Sequence, residues 1–299
     1  MKFLIVLATY NGENYIQEQI DSILNQKNVE VDIVVGDDNS SDNTVFIIRE
    51  NFTDISILQN NPGTGSAANN FLKMISALDF KEDFDYVAFA DQDDIWLPDK
   101  MNAACELLEK SKSELYCSNL TKWDTSNNTY TLLKKDFPQK KFDYLFEGGS
   151  AGCTYVFTRN FAKKLQQYLE KLNSKNWKGF SHDWLVYFFA RSNGYRVYID
   201  GNSYIHYRLH QENVHGHLNK LSWNTIKEKS SEVFNGYYQN QISNFILYLD
   251  KNSEAYAIYQ QFLKGYFFRN RVIWKYNTQL MRDKKKFLIF ALLNLLKFK

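Results

Sequence analysis

The chain opens on an apolar run and then alternates between two periodicities. Lys2–Thr9 reads KFLIVLAT, which predicts a strand buried on both faces. The turn Thr9-Tyr10-Asn11-Gly12-Glu13 ends it, and Ile16, Ile20 and Ile23/Leu24 then recur at helical spacing. Val31–Gly36 predicts a second strand ending in Asp37-Asp38. Ser40-Ser41-Asp42 supplies N-cap chemistry for a helix through about Glu50. Ile55–Leu58 predicts a third strand, followed by Asn60-Asn61-Pro62-Gly63 and a helix to about Leu78. Tyr86–Ala90 predicts a fourth, running into Asp91-Gln92-Asp93-Asp94, and Leu97-Pro98-Asp99 starts the next helix. Strands alternating with helices predict right-handed βαβ units. The expected fold is α/β, a Rossmann-like, mainly parallel sheet flanked by helices.

Beyond Ser111 the pattern weakens. Leu115–Asn119 reads as a strand and Thr121–Leu133 as a polar hairpin turning at Asn127-Asn128. Thr154–Thr158 reads as a strand, with Asn160 capping a helix to about Leu172. His182–Ser192 predicts an aromatic-rich helix, and Arg196–Ile199 and Ser203–Arg208 predict strands. From about Trp223 the chain reads as helical, with Tyr256, Tyr259, Leu263 and Phe267 spaced as one packed face. The expected division is an α/β domain over 1–222 and a helical region over 223–299.

The chemistry sits where such sheets bind ligands, outside the carboxyl ends of the strands. Asp37, Asp38, Asp91, Asp93 and Asp94 all fall there, beside the Thr9–Glu13 turn. Carboxylates crowded at the end of a buried strand repel one another and lose water, so a cation or polar partners must neutralise them. Oxygen ligands on a short loop suit Mg²⁺ or Mn²⁺, whose shells commonly include substrate phosphate oxygens.

Composition narrows the partners. The 299 residues are 44% hydrophobic and 16% aromatic, enough for a sizeable core. Net charge is +2 but uneven: Arg269–Lys299 holds nine Lys/Arg against one acid, leaving 27 basic and 33 acidic residues before it. The body therefore does not read as a nucleic-acid binder. Cys105, Cys117 and Cys153 show no metal-like spacing, and so sparse a set fits a reduced, cytoplasmic protein. Met1–Ala8 mimics a signal peptide, but Tyr10-Asn11-Gly12 follows where a longer apolar stretch would be needed. No stretch reaches the roughly 20 apolar residues of a membrane span. Arg282-Asp283-Lys284-Lys285-Lys286 precedes the apolar Phe287–Phe298, a pattern for lying in an anionic headgroup region at the inner face of the cell membrane. The alternative is a last helix docked on the body or on another subunit of an oligomer.

ATYNGENYIQEQIDSILNQ, VVGDDNSSDNT and FADQDDIWLPDK, in this order, resemble family 2 glycosyltransferases with the GT-A fold. EGGSAGCT, SHDW and YRLHQENVHG resemble polysaccharide-assembly members often described as rhamnosyltransferases. The resemblance implies metal-dependent transfer of a sugar, with inversion, from a nucleoside diphosphate sugar, dTDP-rhamnose or a UDP-sugar, to a glycan or lipid-linked acceptor. It matches Thr9, Tyr10 and Glu13 to base and ribose contacts, and Asp38 to the acid that contacts the base. A carboxylate there can accept a uracil or thymine imide N–H. It makes Asp93 a metal ligand and Asp91 a ribose or metal contact. Asp94 is left as a supporting group or a helix cap. Asp183 matches the catalytic base, with His182 where Glu is commoner. Trp184 is a sugar platform or a core residue. The resemblance also implies His210 as a third metal ligand and Arg208 as a diphosphate contact. Gln-x-x-Arg-Trp, the mark of processive members, is absent, which implies one sugar per encounter.

Other classes make different demands. Gly63-Thr64-Gly65-Ser66-Ala67-Ala68 satisfies GxGxxA, the signature of an NAD-dependent oxidoreductase, but follows the third strand and leaves the acidic edge unexplained. A nucleotidyltransferase needs a glycine-rich basic loop after strand one, where this chain has Tyr10-Asn11-Gly12-Glu13. A non-catalytic sugar-nucleotide binding protein would keep Asp38 and Asp91 without turnover.

Overall fold

A computed structural model describes residues 1–173, 177, 179–209, 230, 231 and 233–297. The first half follows the expected alternation: β1 (Lys2–Thr9), α1 (Ile16–Leu24), β2 (Glu30–Asp37), α2 (Thr44–Asn51), β3 (Ser56–Gln59), α3 (Ala67–Ala77) and β4 (Tyr86–Asp91). Then come β5 (Ile95–Trp96), α4 (Lys100–Ser111), β6 (Leu115–Asp124), β7 (Thr129–Leu133), β8 (Val156–Thr158), α5 (Arg159–Leu169), α6 (His182–Ser192) and β9 (Val197–Leu209). The C-terminal helices are α7 (Tyr237–Phe245), α8 (Glu254–Leu263), α9 (Tyr266–Lys275) and α10 (Lys284–Leu296).

Among the described residues the strands form one sheet, ordered β3-β2-β1-β4-β8-β6-β9-β5, with β7 on β6. The β3-β2-β1-β4 half is parallel. The other half is mixed: β8 runs antiparallel to both β4 and β6, while β9 runs parallel to β6. The two strands expected at Arg196–Ile199 and Ser203–Arg208 are one strand, β9, with register shifts beside Ser118 and Asn119.

β1 is apolar throughout because alternate residues serve different layers. Leu4, Val6 and Ala8 pack with α3, α5, α6 and the C-terminal helices. Phe3, Ile5 and Leu7 pack with α1 and α4. The first layer is a continuous core that includes Phe245, Tyr259, Phe262 and Phe290 as well as Phe71 and Phe157.

Three local expectations change. Thr158, not Asn160, caps α5, its hydroxyl accepting from the Phe161 N–H at 3.3 Å. Thr154 lies in a 3₁₀ turn, Gly152–Thr154, ahead of β8. The face read through Tyr256, Tyr259, Leu263 and Phe267 is broken. α8 ends at Leu263, and Gly265 (φ 118°) turns the chain, leaving Phe267 83% exposed. The packed face is Ala255, Ile258, Tyr259 and Phe262.

The last helix does dock on the body. Phe287, Phe290, Ala291 and Asn294 are buried, while Leu288, Ile289, Leu292 and Leu296 face outward. No described helix is long and apolar enough to cross a membrane. A buried ion network fastens this arm. Arg282 approaches Glu147 at 3.3 Å and Asp143 at 3.7 Å, and donates to the Gly148 carbonyl at 2.5 Å. Arg191 completes the network on Asp143 at 3.0 Å. Removing one partner of a buried pair leaves the other charge uncompensated. Arg282→Met should therefore lower unfolding stability by about 3–5 kcal/mol in chemical denaturation, and a loss under about 1 kcal/mol would show that the network is dispensable.

Candidate active site at the strand ends

β1, β2 and β4 end side by side, with Thr9 opposite Asp37 and Ala8 opposite Asp91. Gln92 locks this edge. Its carbonyl oxygen accepts from the Thr9 hydroxyl at 2.6 Å and the Tyr10 N–H at 2.8 Å, and its amide donates to the Tyr10 carbonyl at 3.1 Å. Gly12 gives Gln92 room to close on this edge, since a Cβ there would come within 2.4 Å of the Gln92 oxygen and displace that side chain.

The first turn is also laced to the loop after β2. The Asn11 N–H donates to Ser40 Oγ at 2.9 Å, the Gly12 N–H to Thr44 Oγ1 at 2.7 Å and the Glu13 N–H to Asp42 Oδ2 at 3.0 Å. Glu13 Oε2 in return accepts from the Asn43 N–H at 3.0 Å. Thr9 and Glu13 thus shape the turn, and the Tyr10 ring stands 57% exposed beside it.

Asp38 is buried, and its carboxylate gathers the next loop. It accepts from the Thr64 N–H at 2.6 Å, the Gly65 N–H at 3.1 Å and the Asn60 amide at 3.1 Å. The GxGxxA segment therefore spends two backbone N–H groups on a carboxylate of its own chain.

The acidic turn after β4 is the most strained part electrostatically. Asp91, Asp94 and the Cys153 thiol offer atoms within 4.8 Å of one another. Asp94 is 1% exposed, and its oxygens face the Cys153 thiol and the Arg208 N–H without making a well-formed hydrogen bond. Burial, then the charges of Asp93 and Asp91, push its carboxyl well above the usual range. Burial, then Asp93 and Asp183, raise Asp91 to about 7. Beneath lies Lys100, its ammonium 3.5 Å from the Trp96 ring centre and lowered to about 7 by burial. Burial raises the Cys153 thiol too, and a thiol is a soft ligand that suits Mg²⁺ or Mn²⁺ less well than oxygen does. What remains is a pair of carboxylates with unused oxygen lone pairs, a donor set that fits a hard divalent cation. Asp93, the ligand expected from sequence, stands outside this triplet. Its carbonyl accepts from Arg208 Nε at 3.0 Å.

Arg208 is buried, paired with Glu18 at 2.5 Å and lying 4.4 Å from the Trp123 ring centre. It braces the acidic turn against α1 and β6. His210 lies outside the described residues.

Asp183 occupies the first turn of α6. Its Oδ1 accepts from Ser181 Oγ and from the Trp184 N–H at 2.6 Å, and among the described residues Oδ2 has no hydrogen-bond partner. Its charge reaches Asp91 and Lys135. His182 stacks 4.3 Å from Phe71, and Gly152 makes room for it: a Cβ there would come within 2.0 Å of His182 Nε2. Trp184 is a core residue, 4% exposed, donating to the Tyr144 carbonyl at 2.8 Å.

Sequence reasoning missed Gln92, Glu18 and Trp123. Gln92 carried a signal, since it lies inside the acidic motif. The other two come from distant segments and carried none.

Comparison with known proteins agrees with this geometry. A sequence profile described as "Glycosyl transferase family 2" matches residues 4–175. The chain is 34% identical over 296 residues, 97% of its length and 99% of the relative's, to the dTDP-rhamnosyl transferase RfbG of Shigella flexneri. It is 32% identical over 157 residues, 51% of this chain and 58% of the relative, to the UDP-Glc:alpha-D-GlcNAc-diphosphoundecaprenol beta-1,3-glucosyltransferase WfgD of Escherichia coli. Its fold matches S. aureus TarS 1-349 with a TM-score of 0.60 at 18% identity, covering 99% of this chain and 80% of that one. It also matches the mannosyltransferase PcManGT from Pyrobaculum calidifontis, solved with GDP-Man and Mn2+, at 0.52 and 14%, covering 92% and 73%. The sheet, the acidic edge and these matches together establish that the chain belongs to glycosyltransferase family 2, with the GT-A fold.

Proposed function

We propose that the protein transfers one sugar per encounter, with inversion, from a nucleoside diphosphate sugar to a growing cell-surface glycan. The observation that carries this is the convergence at one sheet edge of the laced Thr9–Glu13 turn, Asp38 and the underneutralised Asp91–Asp94 turn. The nucleotide lies across the first two loops, with the Tyr10 ring against it and Asp38 setting the base side. A divalent cation, Mn²⁺ or Mg²⁺, held by the Asp91–Asp94 carboxylates and His210, would take up diphosphate charge as the leaving group departs. Asp93 would add a further carboxylate ligand from the same turn. Asp183 Oδ2 removes the proton from the acceptor hydroxyl. The acceptor oxygen so freed bonds to the anomeric carbon as the bond to the diphosphate breaks and the diphosphate leaves with its electron pair. The donor is dTDP-rhamnose or a UDP-sugar, in line with the names of RfbG and WfgD.

Asp183→Asn should reduce transfer at least about a hundredfold while nucleotide affinity stays near wild type. Substantial remaining transfer would move the base elsewhere. Equal nucleotide binding with no turnover in the wild type would favour a non-catalytic binding role.

Metal dependence has a pH signature. Asp91 is raised to about 7 in the folded chain, against about 3.9 unfolded. The folded state therefore holds the extra proton between these values, and the metal-free protein loses stability as pH rises through that window. A cation displaces that proton, so Mn²⁺ should raise the melting temperature more at about pH 8 than at about pH 5.5. An equal shift at both values would overturn Asp91 as a ligand.

A lipid-linked acceptor would be met at an anionic membrane. The outward faces of α9 and α10 support this, exposing Phe267, Trp274, Leu288 and Leu292 beside Arg271, Lys284 and Lys285. Deleting the arm would also remove Arg282 and the buried Phe290, so point changes are the cleaner probe. Leu288→Asp with Leu292→Asp should cut sedimentation with anionic vesicles by about tenfold or more and leave melting within a few degrees. Unchanged partition would leave α10 as a docking helix only.

A further inference from the structure

The mixed half of the sheet runs on past the acidic turn. Phe157 of β8 pairs with both Val87 and Leu115, which sets β4 and β6 level. Asn119 is then level with Asp91, the end of β4, yet β6 continues to Asp124. It overhangs the acidic turn by about five residues, roughly 16 Å of strand. β8 is antiparallel to both β4 and β6, and β9 is parallel to β6, so the extension projects from the same edge as the acidic turn. β7 pairs with it from Leu120 to Asp124. β6, β7 and β9 thus form a wall along one flank of the site.

One face of this wall is aromatic. Cross-strand pairing puts Thr121 and Trp123 of β6, Tyr130 and Leu132 of β7, and His206 and Arg208 of β9 on one side. Leu120 and Ile205, next to them in sequence, pack in the opposite layer with α1 and α4. The aromatic side is therefore the side of the sheet on which α6 carries Asp183. Arg208, Trp123 and Tyr130 form a ladder across the three strands. The guanidinium lies 4.4 Å from the Trp123 ring centre, and the Trp123 and Tyr130 rings are 5° from parallel at 6.0 Å. The His206 ring centre is 4.8 Å from that of Tyr130. The inner rungs are spent. Arg208 is held by Glu18 and the Asp93 carbonyl, and Trp123 Nε1 donates to Asn128 Oδ1 at 3.1 Å. The outer rungs are open. Tyr130 is 48% and Leu132 54% exposed, and the His206 ring nitrogens make no hydrogen bond among the described residues.

Grouped exposed apolar side chains mark an interaction surface, and their chemistry selects the occupant. The faces of aromatic rings are electron-rich and attract the C–H face of a sugar ring. Neutral polar groups beside them suit a polyol: the Tyr130 hydroxyl, the His206 imidazole and the Thr121 hydroxyl, which donates to Ser203 Oγ at 2.9 Å. We propose that Tyr130, His206 and Leu132 form a platform that seats a pyranose ring of the acceptor glycan. Assigning the sugar to the acceptor rests on the transferase reading, in which the nucleotide fills the ends of β1 and β2, whereas binding of a sugar ring does not. The ladder ties the platform to the Asp93 backbone, so the seated sugar lies on the flank of the transfer site.

Saturation-transfer NMR on the full chain tests the platform, with N-acetylglucosamine and methyl α-L-rhamnopyranoside as probes. Nucleotide and divalent cation are left out, so the donor locus has little hold on a sugar. Wild type should transfer saturation to the ring C–H protons of at least one probe. Tyr130→Ala should cut that transfer at least about threefold, and Tyr130→Phe, which keeps the ring, should retain most of it. His206→Ala should weaken it in the same direction. No transfer in wild type, wild-type transfer in Tyr130→Ala, or equal loss in Tyr130→Phe and Tyr130→Ala would overturn the platform. A wild-type dimer in sedimentation that Tyr130→Ala dissociates would give this face to a second copy and overturn it as well. Mn²⁺-dependent binding of UDP and dTDP, titrated separately, reads the transferase proposal. Its absence would undo that proposal and leave the sugar comparison standing.

Discussion

Like-charge crowding at the end of β4 constrains everything around it. Asp91 ends the buried strand β4, Asp93 and Asp94 follow it, and the Asp94 carboxylate makes no well-formed hydrogen bond. A chain that needed only a turn here would not place carboxylates where burial drives them toward protonation. The surroundings limit the damage without removing the charge. Gln92 replaces what would be a fourth acid with a group that both donates and accepts. It closes on both the N–H and the carbonyl of Tyr10, which a carboxylate cannot do. Lys100 lies below, close enough to feel Asp94 but bonded to neither oxygen. The crowding is thus eased but not removed.

The second constraint runs from the opposite end of the sequence. The arm that begins at Arg282 is fastened to Glu147 and Gly148, and Gly148 in turn lies against the peptide that carries Asp183. The continuous core joins α7, α8 and α10 to α3 and α6. The C-terminal helices therefore support the position of Asp183, and an outward-facing surface on α10 is mechanically continuous with the site.

How much of this was legible depended on range. The first four strands announce themselves because each carries an apolar stretch and ends in turn chemistry, and the acids after β2 and β4 fall at strand ends by counting alone. In the mixed half the strands were legible but their pairing was not, because β8, β6 and β9 pair out of sequence order. The face through Phe267 failed because spacing cannot see that Gly265 reverses the chain. The resemblance matches Arg208 to a diphosphate contact, but nothing in the sequence pairs it with Glu18, 190 positions away.

The glycine-rich loop after β3 shows why such a motif needs its context. Successive backbone N–H groups at Thr64 and Gly65 point at one anion, as they would in a dinucleotide fold. Here the anion is Asp38, contributed by the neighbouring strand end. β2 supplies a carboxylate that fills the phosphate position, and Asn60 seals it from the side. A loop whose N–H groups are already satisfied by a buried carboxylate is a brace between the end of β2 and the start of α3 rather than a cradle for a phosphate. The local sequence is shared with dehydrogenases, but the residue one strand away changes what the loop can do.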